Sequence, residues 1–168
     1  MKAYLAMALT ALMITSNPIW ANASKETAYK ELEWDDLIPL SEQLNPPPFP
    51  EVDHNDEFAI PKQPIGKVVE GLNGTPVRLP GFVVPLEGDS HEITAFLLVP
   101  YFGACIHVPA PPTNQIVYVA YPEGAKVDDL WDAVWVTGTL QTTAASHEMG
   151  DAAYSLTATS VTPYERPH

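Results

Sequence analysis

Short apolar runs, separated by turn-forming residues, fill the chain from residue 65 onward. The runs fall at residues 77–86, 93–99, 116–120, 133–140 and 154–161. Runs of this length predict β-strands, and the nearly unbroken apolar run at 93–99 is typical of a buried strand. Gly81 interrupts the first run and predicts a bulge or a bend in that strand.

One segment in this half of the chain has a helical pattern, at residues 125–131, between the third and fourth predicted strands of a small barrel. Five or six short strands with one helix in that position predict a partly closed barrel of the OB type. An open β-sandwich is the alternative, but it requires more strands than the pattern offers. The predicted fold class is therefore mainly β.

Residues 24–64 differ from the rest of the chain because they are acidic and rich in proline. They carry ten carboxylates against three lysines, and residues 45–50 are Asn-Pro-Pro-Pro-Phe-Pro. Because proline has no N–H for a sheet ladder, this segment predicts an extended, polyproline-like arm, with one short helix over residues 26–37. Trp34 and Phe49 are large apolar residues, which predicts that the arm packs back onto the barrel.

The first 23 residues have the features of a cleaved signal peptide. Lys2 precedes an apolar run at residues 3–14, and Ala21-Asn22-Ala23 places small residues where a signal peptidase cleaves. The run has about a dozen residues, short of the ~20 that span a bilayer, so we expect no permanent membrane anchor. We therefore expect export to the periplasm, with cleavage after Ala23. The chain then divides into the signal peptide (residues 1–23), the arm (24–64) and an OB-like barrel domain (65–168).

Charge and cysteine content exclude several classes of protein. The chain has 8 basic and 21 acidic residues, a formal charge of −13, which is opposite in sign to what nucleic acid or anionic lipid attracts. A single cysteine excludes an intrachain disulfide and an all-cysteine metal site within one chain. No phosphate-binding loop or dinucleotide fingerprint occurs. In an oxidising compartment, the lone thiol must be buried, paired, oxidised or bound to metal.

The most chemically informative motif is Cys105-Ile106-His107. In an extended segment, residues two apart point to the same face, with Cα atoms about 6.6 Å apart. A thiolate and an imidazole could then bind one ion at about 2.3 and 2.0 Å. This borderline-soft pair suits Zn²⁺, with copper as the alternative, better than Ca²⁺ or Mg²⁺.

Two ligands do not complete a metal site, and two other segments offer more. The loop between the first two predicted barrel strands contains Glu87, Asp89 and His91, which would supply a third and a fourth ligand if the loop approached the motif. His147 and Met149 form a second group, in which the thioether would favour copper(I).

Other roles are open for the same residues. Cys105 and His107 could be buried structural residues, since cysteine is among the most buried residue types. They could also be a thiol nucleophile and its base, oriented by Asn114 or Gln115. Four aromatic residues either join the core or line a binding face: Tyr101, Phe102, Trp131 and Trp135.

Several strings in the sequence resemble one bacterial family. They are LPGFVVPLE at residues 79–87, FLLVPYFGACIHVPAPPTNQIVYV at residues 96–119 and VWVTGTL at residues 134–140. On these strings, the chain resembles the periplasmic family known as domain of unknown function 3299. Cys105 and His107 fall on the family's most distinctive motif.

The resemblance implies a cellular role but no enzymology. Genes of the family often stand beside a MacB/FtsX-like ABC transporter and an exported protein implicated in zinc limitation, which implies a periplasmic accessory protein in metal, foremost zinc, homeostasis. On this hypothesis, the chain binds the ion through Cys-x-His, and its partner is the ABC transporter or another envelope protein. The alternative is a non-metal interaction module that docks on such a component. A thiol-dependent enzyme ranks third.

Overall fold

A barrel of five β-strands forms the centre of the molecule. The computed structural model describes residues 28–48, 63–104, 111–126 and 133–164. Within them, the strands in chain order are β1 (Lys30–Glu31), β2 (Thr75–Gly88), β3 (Glu92–Val99), β4 (Val117–Lys126), β5 (Val134–Gln141), β6 (Ala145–His147), β7 (Gly150–Ala152) and β8 (Tyr154–Pro163). The predicted signal peptide, Phe49, Cys105 and His107 lie outside the described residues.

The order of the strands around the barrel is β2-β3-β4-β8-β5, and β5 pairs again with β2. β4 and β8 are parallel, whereas the other pairs around the barrel are antiparallel. A five-stranded Greek-key barrel with this crossover is of the OB type, so the predicted fold class is confirmed. The pairing of β2 with β5 closes the barrel, where partial closure was predicted.

β2 is the longest strand and belongs to two sides of the barrel. Its first half pairs with β5 from Thr75 to Gly81, and its second half pairs with β3 from Phe82 onward. At this change of partner, a Cβ on Gly81 would lie 2.8 Å from Leu98 Cγ and 2.8 Å from Val99 O. Glycine therefore permits the close approach of β3. The irregularities in the β2–β3 register lie further along, between Pro85 and Gly88.

Alternate residues of the barrel strands point inward and form the main core. The members on the barrel strands that are at most 1% exposed are aliphatic or aromatic: Val77, Leu79, Phe96, Leu98, Val117, Val119, Val134, Val136, Leu140, Tyr154 and Leu156. Full burial of a large side chain of this kind contributes roughly 1.5–3 kcal/mol. The opposite face of β3 carries a smaller cluster, which includes Leu97, Val99 and Ala104.

The described part of the arm, from residue 28, does not form the helix predicted over residues 26–37. In its described part, β1 pairs in parallel with β2, a 3-10 helix follows at Trp34–Leu37, and the five-residue helix α1 occupies Leu40–Leu44. The prediction is wrong because the backbone N–H of Leu32 donates to Arg78 O of β2 at 2.9 Å, which keeps this stretch extended. Tertiary contacts of this kind outweigh a weak helical pattern.

Buried side chains hold the arm against the barrel. Leu32 and Leu37 belong to the main core and are almost completely buried. The indole N–H of Trp34 donates to Pro80 O of β2 at 2.7 Å. The packing of Trp34 agrees with the docking predicted for the arm, whereas the second residue of that prediction, Phe49, lies outside the described residues.

One tyrosine joins the arm and the segment before β2 to the barrel. The Tyr154 hydroxyl, at the start of β8, donates to Leu37 O at 2.9 Å and accepts the N–H of Val69 at 2.6 Å. Burial raises the pKa of the Tyr154 hydroxyl; the Val69 N–H opposes this rise, and the nearby Glu70 and Glu42 carboxylates add to it.

The second predicted helix, at residues 125–131, begins as a strand. Ala125 and Lys126 are the last residues of β4 and pair with Ile93 and Glu92 of β3. The prediction is wrong at these two positions because the ladder between β3 and β4 extends to the end of the hairpin, and the later positions lie outside the described residues. Over the part of the chain that the structure describes, no helix is long and apolar enough to cross a bilayer.

Candidate functional site

Cys105 and His107 lie in residues 105–110, outside the described part of the chain, but the residues that flank this segment are fixed by packing. Ala104, at its N-terminal end, is completely buried in the smaller core cluster. Pro111, at its C-terminal end, is also buried. Core packing therefore sets the points at which the segment leaves and rejoins the fold.

A side-chain amide connects the C-terminal end of this segment to the hairpin formed by β6 and β7. The Gln63 Nε2 donates to Pro111 O at 2.9 Å and to Asp151 O at 2.8 Å, while its Oε1 accepts the N–H of Asp151 at 2.8 Å. Because one nitrogen bonds both carbonyls, the two oxygens lie within about 6 Å of each other. The hairpin that carries His147 is therefore adjacent to Pro111.

The first group of predicted ligands, Glu87, Asp89 and His91, lies at the other end of β3. Glu87 is near the end of β2 and pairs with Ala95 of β3. Asp89 and His91 lie in the loop that precedes Ile93, whereas the segment of the motif follows Val99. The rise of β3 between these two residues is about 20 Å. All three predicted ligands are exposed. The structure thus does not bring this group to the N-terminal end of the motif's segment.

Asp89 has a local role in the loop between β2 and β3. Its Oδ1 accepts the backbone N–H of His91 at 2.7 Å and that of Glu92 at 2.9 Å. The N–H of Glu92, and then that of His91, lower the pKa of the Asp89 carboxyl. A carboxylate bonded to the backbone two and three residues ahead stabilises a tight turn. Across the described ranges, no three His, Cys, Asp or Glu side chains are grouped as a metal site.

The second group of predicted ligands lies in the turn between β6 and β7. The backbone N–H of Met149 donates to His147 Nδ1 at 3.3 Å. In a neutral ring, an acceptor at Nδ1 places the proton on Nε2, so His147 could bind a metal through Nδ1 only by giving up this bond. The bond is long and exposed, and such an exchange therefore costs little.

The side-chain amides of Asn114 and Gln115 bond to the arm and to Lys67, which follows it. These are the two residues considered above as orienting groups for a thiol and its base. Asn114 Nδ2 donates to Glu42 Oε2 and to Lys67 O, both at 2.9 Å. The buried Glu42 carboxylate also accepts the N–H of Lys67 at 3.0 Å. Gln115 Nε2 donates to Trp34 O at 2.9 Å. Both amides thus have a structural role that the sequence did not indicate.

Asn114→Ala is expected to lower the free energy of unfolding by about 2 kcal/mol, because it leaves Lys67 O without a donor and leaves the buried Glu42 carboxylate with the Lys67 N–H in place of two donors. Urea unfolding followed by circular dichroism measures the change. Asn73→Ala is the matched control, since the exposed Asn73 side chain accepts one N–H, from Thr142, at 3.2 Å; it should change stability by less than about 0.5 kcal/mol. Equal effects of the two substitutions would show that the buried network does not hold the arm.

Comparison with known proteins identifies a family and a related structure. The family model described as Protein of unknown function (DUF3299) matches residues 34–163. A crystal structure of a DUF3299 family protein from Pseudomonas aeruginosa PAO1 is similar to this chain, with 42% sequence identity and a TM-score of 0.70. The similarity covers 84% of this chain and 99% of that one. No curated protein matches the chain.

Proposed function

Because this chain belongs to the DUF3299 family, we propose that it is a periplasmic accessory protein of a metal homeostasis system. In this proposal, Cys105 and His107 bind the metal ion, and the partner of the protein is an ABC transporter. The observation that carries the proposal is the position of the chain's one cysteine, two residues before a histidine and inside the range matched by the family. A thiolate with an imidazole fits Zn²⁺, with copper as the alternative. The transporter is the partner implied by the gene neighbourhood of the family.

The packing at the ends of the motif's segment supports the β6–β7 hairpin as the source of a third ligand. Gln63 bonds both Pro111 and the hairpin, which keeps His147 on the side where the segment rejoins the fold. His91, in contrast, lies beyond the far end of β3. We therefore assign the third position to His147, bound through Nδ1 in place of the Met149 N–H.

A bound ion explains how an exported cysteine avoids oxidation. Ligation holds Cys105 as a thiolate whose lone pair is engaged, which protects it in an oxidising compartment. Three protein ligands on Zn²⁺ leave one of the four usual positions open. A carrier that exchanges its ion with a partner needs such a position, because the incoming ligand must bind before the ion is released.

The chain that begins at residue 24, prepared without a His tag, is expected to bind one Zn²⁺ with a dissociation constant below about 1 µM. Cys105→Ser and His107→Ala should each weaken binding by at least about 100-fold, since too few ligands remain to hold the ion. Affinity should fall as the pH drops through about 6.5, because protonated imidazole is not a ligand. Isothermal titration calorimetry under reducing conditions measures all three effects.

His91→Ala is the matched control, because it removes an exposed histidine from the far end of β3 and should leave zinc binding unchanged. His147→Ala should weaken it by about tenfold or more. Wild-type binding weaker than micromolar for both zinc and copper would contradict the metal hypothesis. Unchanged binding by both Cys105→Ser and His107→Ala would place the site elsewhere. Circular dichroism of each variant separates loss of ligands from loss of fold.

Exposed leucines on the arm favour a second function, that of a non-metal interaction module. Leu40 and Leu44 of α1 are 69% and 71% exposed. Residues four apart lie on the same face of a helix, so the two side chains form one apolar strip in an otherwise acidic segment. Such a strip suits docking on a transporter subunit or an envelope component. The double variant Leu40→Ser/Leu44→Ser is expected to bind zinc normally but to capture the transporter no longer. This result would support docking as a separate activity.

A further inference from the structure

A cleft, here named the aromatic cleft, opens on the outer surface where β2, β5 and the end of β8 meet the arm. It has a volume of about 660 Å³, and its lining includes Glu31, Arg78, Pro80, Trp135, Thr162 and Tyr164. The register explains this composition, because Pro80 pairs with Trp135 and Trp135 pairs with Thr162. OB barrels usually bind ligands on the face of their second and third strands, here β3 and β4, so the aromatic cleft is a different surface.

Two aromatic rings form one wall of the aromatic cleft. The ring centroids of Trp135 and Tyr164 lie 5.0 Å apart, with an angle of 41° between the ring planes. The backbone N–H of Tyr164 donates to Ala133 O at 2.9 Å, which fixes the chain that carries this ring. Because the Arg78 guanidinium lies over the Trp135 ring, the Tyr164 ring, held by its contact with Trp135, is the apolar platform that this wall offers a ligand.

Arg78 supplies hydrogen-bond donors beside this platform. Its guanidinium lies 4.2 Å from the centroid of Trp135 and 5.7 Å from that of Tyr29, and its Nη1 is 3.6 Å from a Glu31 oxygen. Among the described residues, it makes these contacts but no hydrogen bond. A guanidinium carries five N–H donors, and the Arg78 side chain is 27% exposed. Its position is thus fixed while its donors are available to a ligand.

The charges around the aromatic cleft select the class of ligand. An anion would bind Arg78 but would meet Glu31, Glu33 and a chain of net charge −13. A cation would meet the guanidinium. A neutral molecule with many hydroxyl groups can bond to the acidic and the basic side chains of the cleft at once, because a hydroxyl donates to a carboxylate and accepts from a guanidinium.

We propose that the aromatic cleft binds a neutral saccharide. The C–H face of a sugar ring packs on the Tyr164 platform, while its hydroxyls bond to Arg78, Glu31 and the Thr162 hydroxyl. The volume of the cleft lies within the range of about 300–1,000 Å³ of small-molecule sites. This activity is independent of metal binding and adds to the proposed function.

Titration of the chain that begins at residue 24 with chitotetraose, maltotetraose, cellotetraose and mannotetraose tests the proposal. At least one of them is expected to bind with a dissociation constant of about 1 mM or lower, measured by calorimetry. Tyr164→Ala and Arg78→Met should each weaken binding by about tenfold, through loss of the platform and of the donors, respectively. Thermal unfolding of both variants checks that they fold.

Phe102→Ala is the matched control, since Phe102 is an aromatic residue, 77% exposed, outside the lining of the aromatic cleft. It should leave saccharide binding unchanged. Absence of binding by all four tetrasaccharides would overturn the proposal, as would equal binding by wild type, Tyr164→Ala and Arg78→Met. Displacement of the bound saccharide by inorganic phosphate would identify an anion site instead, and binding of oligoproline but of no saccharide would identify a peptide groove.

Discussion

Replacement of Tyr154 by phenylalanine is expected to lower the free energy of unfolding by about 3 kcal/mol. The hydroxyl donates to Leu37 O and accepts from Val69 N, so its loss leaves two backbone groups unpaired at the junction of arm and barrel. Each buried group without a partner costs about 1–3 kcal/mol. The phenylalanine ring fills the same space, and the loss therefore reflects hydrogen bonding rather than packing. Guanidinium-induced unfolding at neutral pH measures it.

The alkaline limb of the stability profile provides a second test of Tyr154. Burial raises the pKa of its hydroxyl in the folded chain. Above pH about 10, the unfolded chain loses this proton while the folded chain keeps it, so stability falls as the pH rises toward the folded pKa. Tyr154→Phe should remove this part of the decline. Tyr118→Phe, at a half-buried position on β4, is the matched control, and an equal loss of stability in both variants would contradict the assignment.

Gly138→Ala is expected to destabilise the barrel by about 3 kcal/mol or more. A Cβ at this position would lie 2.3 Å from Thr157 O and 2.8 Å from Ala158 Cα. Both are backbone atoms of β8, so relief of the clash must separate β5 from β8 rather than rotate a side chain. The register between these two strands is already irregular between Thr137 and Gly138. A fall in the urea midpoint measures the cost.

Gly71→Ala is the matched control for Gly138→Ala. No atom lies within 4 Å of a Cβ built on Gly71, so an added methyl group meets open space there. This substitution should change the free energy of unfolding by less than about 1 kcal/mol. If Gly138→Ala were tolerated equally well, the close approach of β5 and β8 would not be needed for barrel closure.

The barrel strands were predictable from sequence because each is an apolar run bounded by turn residues. The extended conformation of the arm was not predictable. Ala28, Leu32 and Leu37 follow one another at spacings of four and five residues, which resembles the apolar stripe of a helix. What keeps this stretch extended is a bond to Arg78, distant in sequence. The β6–β7 hairpin was missed for a similar reason, because its short strands lack apolar alternation.

The candidate site was predictable only in part. The chemistry of Cys105 and His107 follows from residue type and spacing, and it remains a prediction. The choice of further ligands depends on which loops share one end of the barrel, and sequence order does not give this: His91 is closer to the motif along the chain than His147, yet it lies beyond the far end of β3. Gln63, which connects Pro111 to the hairpin, carries no recognisable signal, because a lone glutamine beside prolines fits any loop.

The hydrogen bond between Tyr154 and Leu37 spans 117 residues of the chain. Contacts of such separation form late, because they require closure of a long loop before they return any free energy. A chain made from its N-terminus thus presents Leu32 and Leu37 long before β8 exists to receive them. The arm is the first of the described segments to be synthesised, and it can pair with β2 as soon as that strand exists. Its bond to Tyr154 must wait for β8, so a fragment that ends before β8 would leave Leu37 O without this donor.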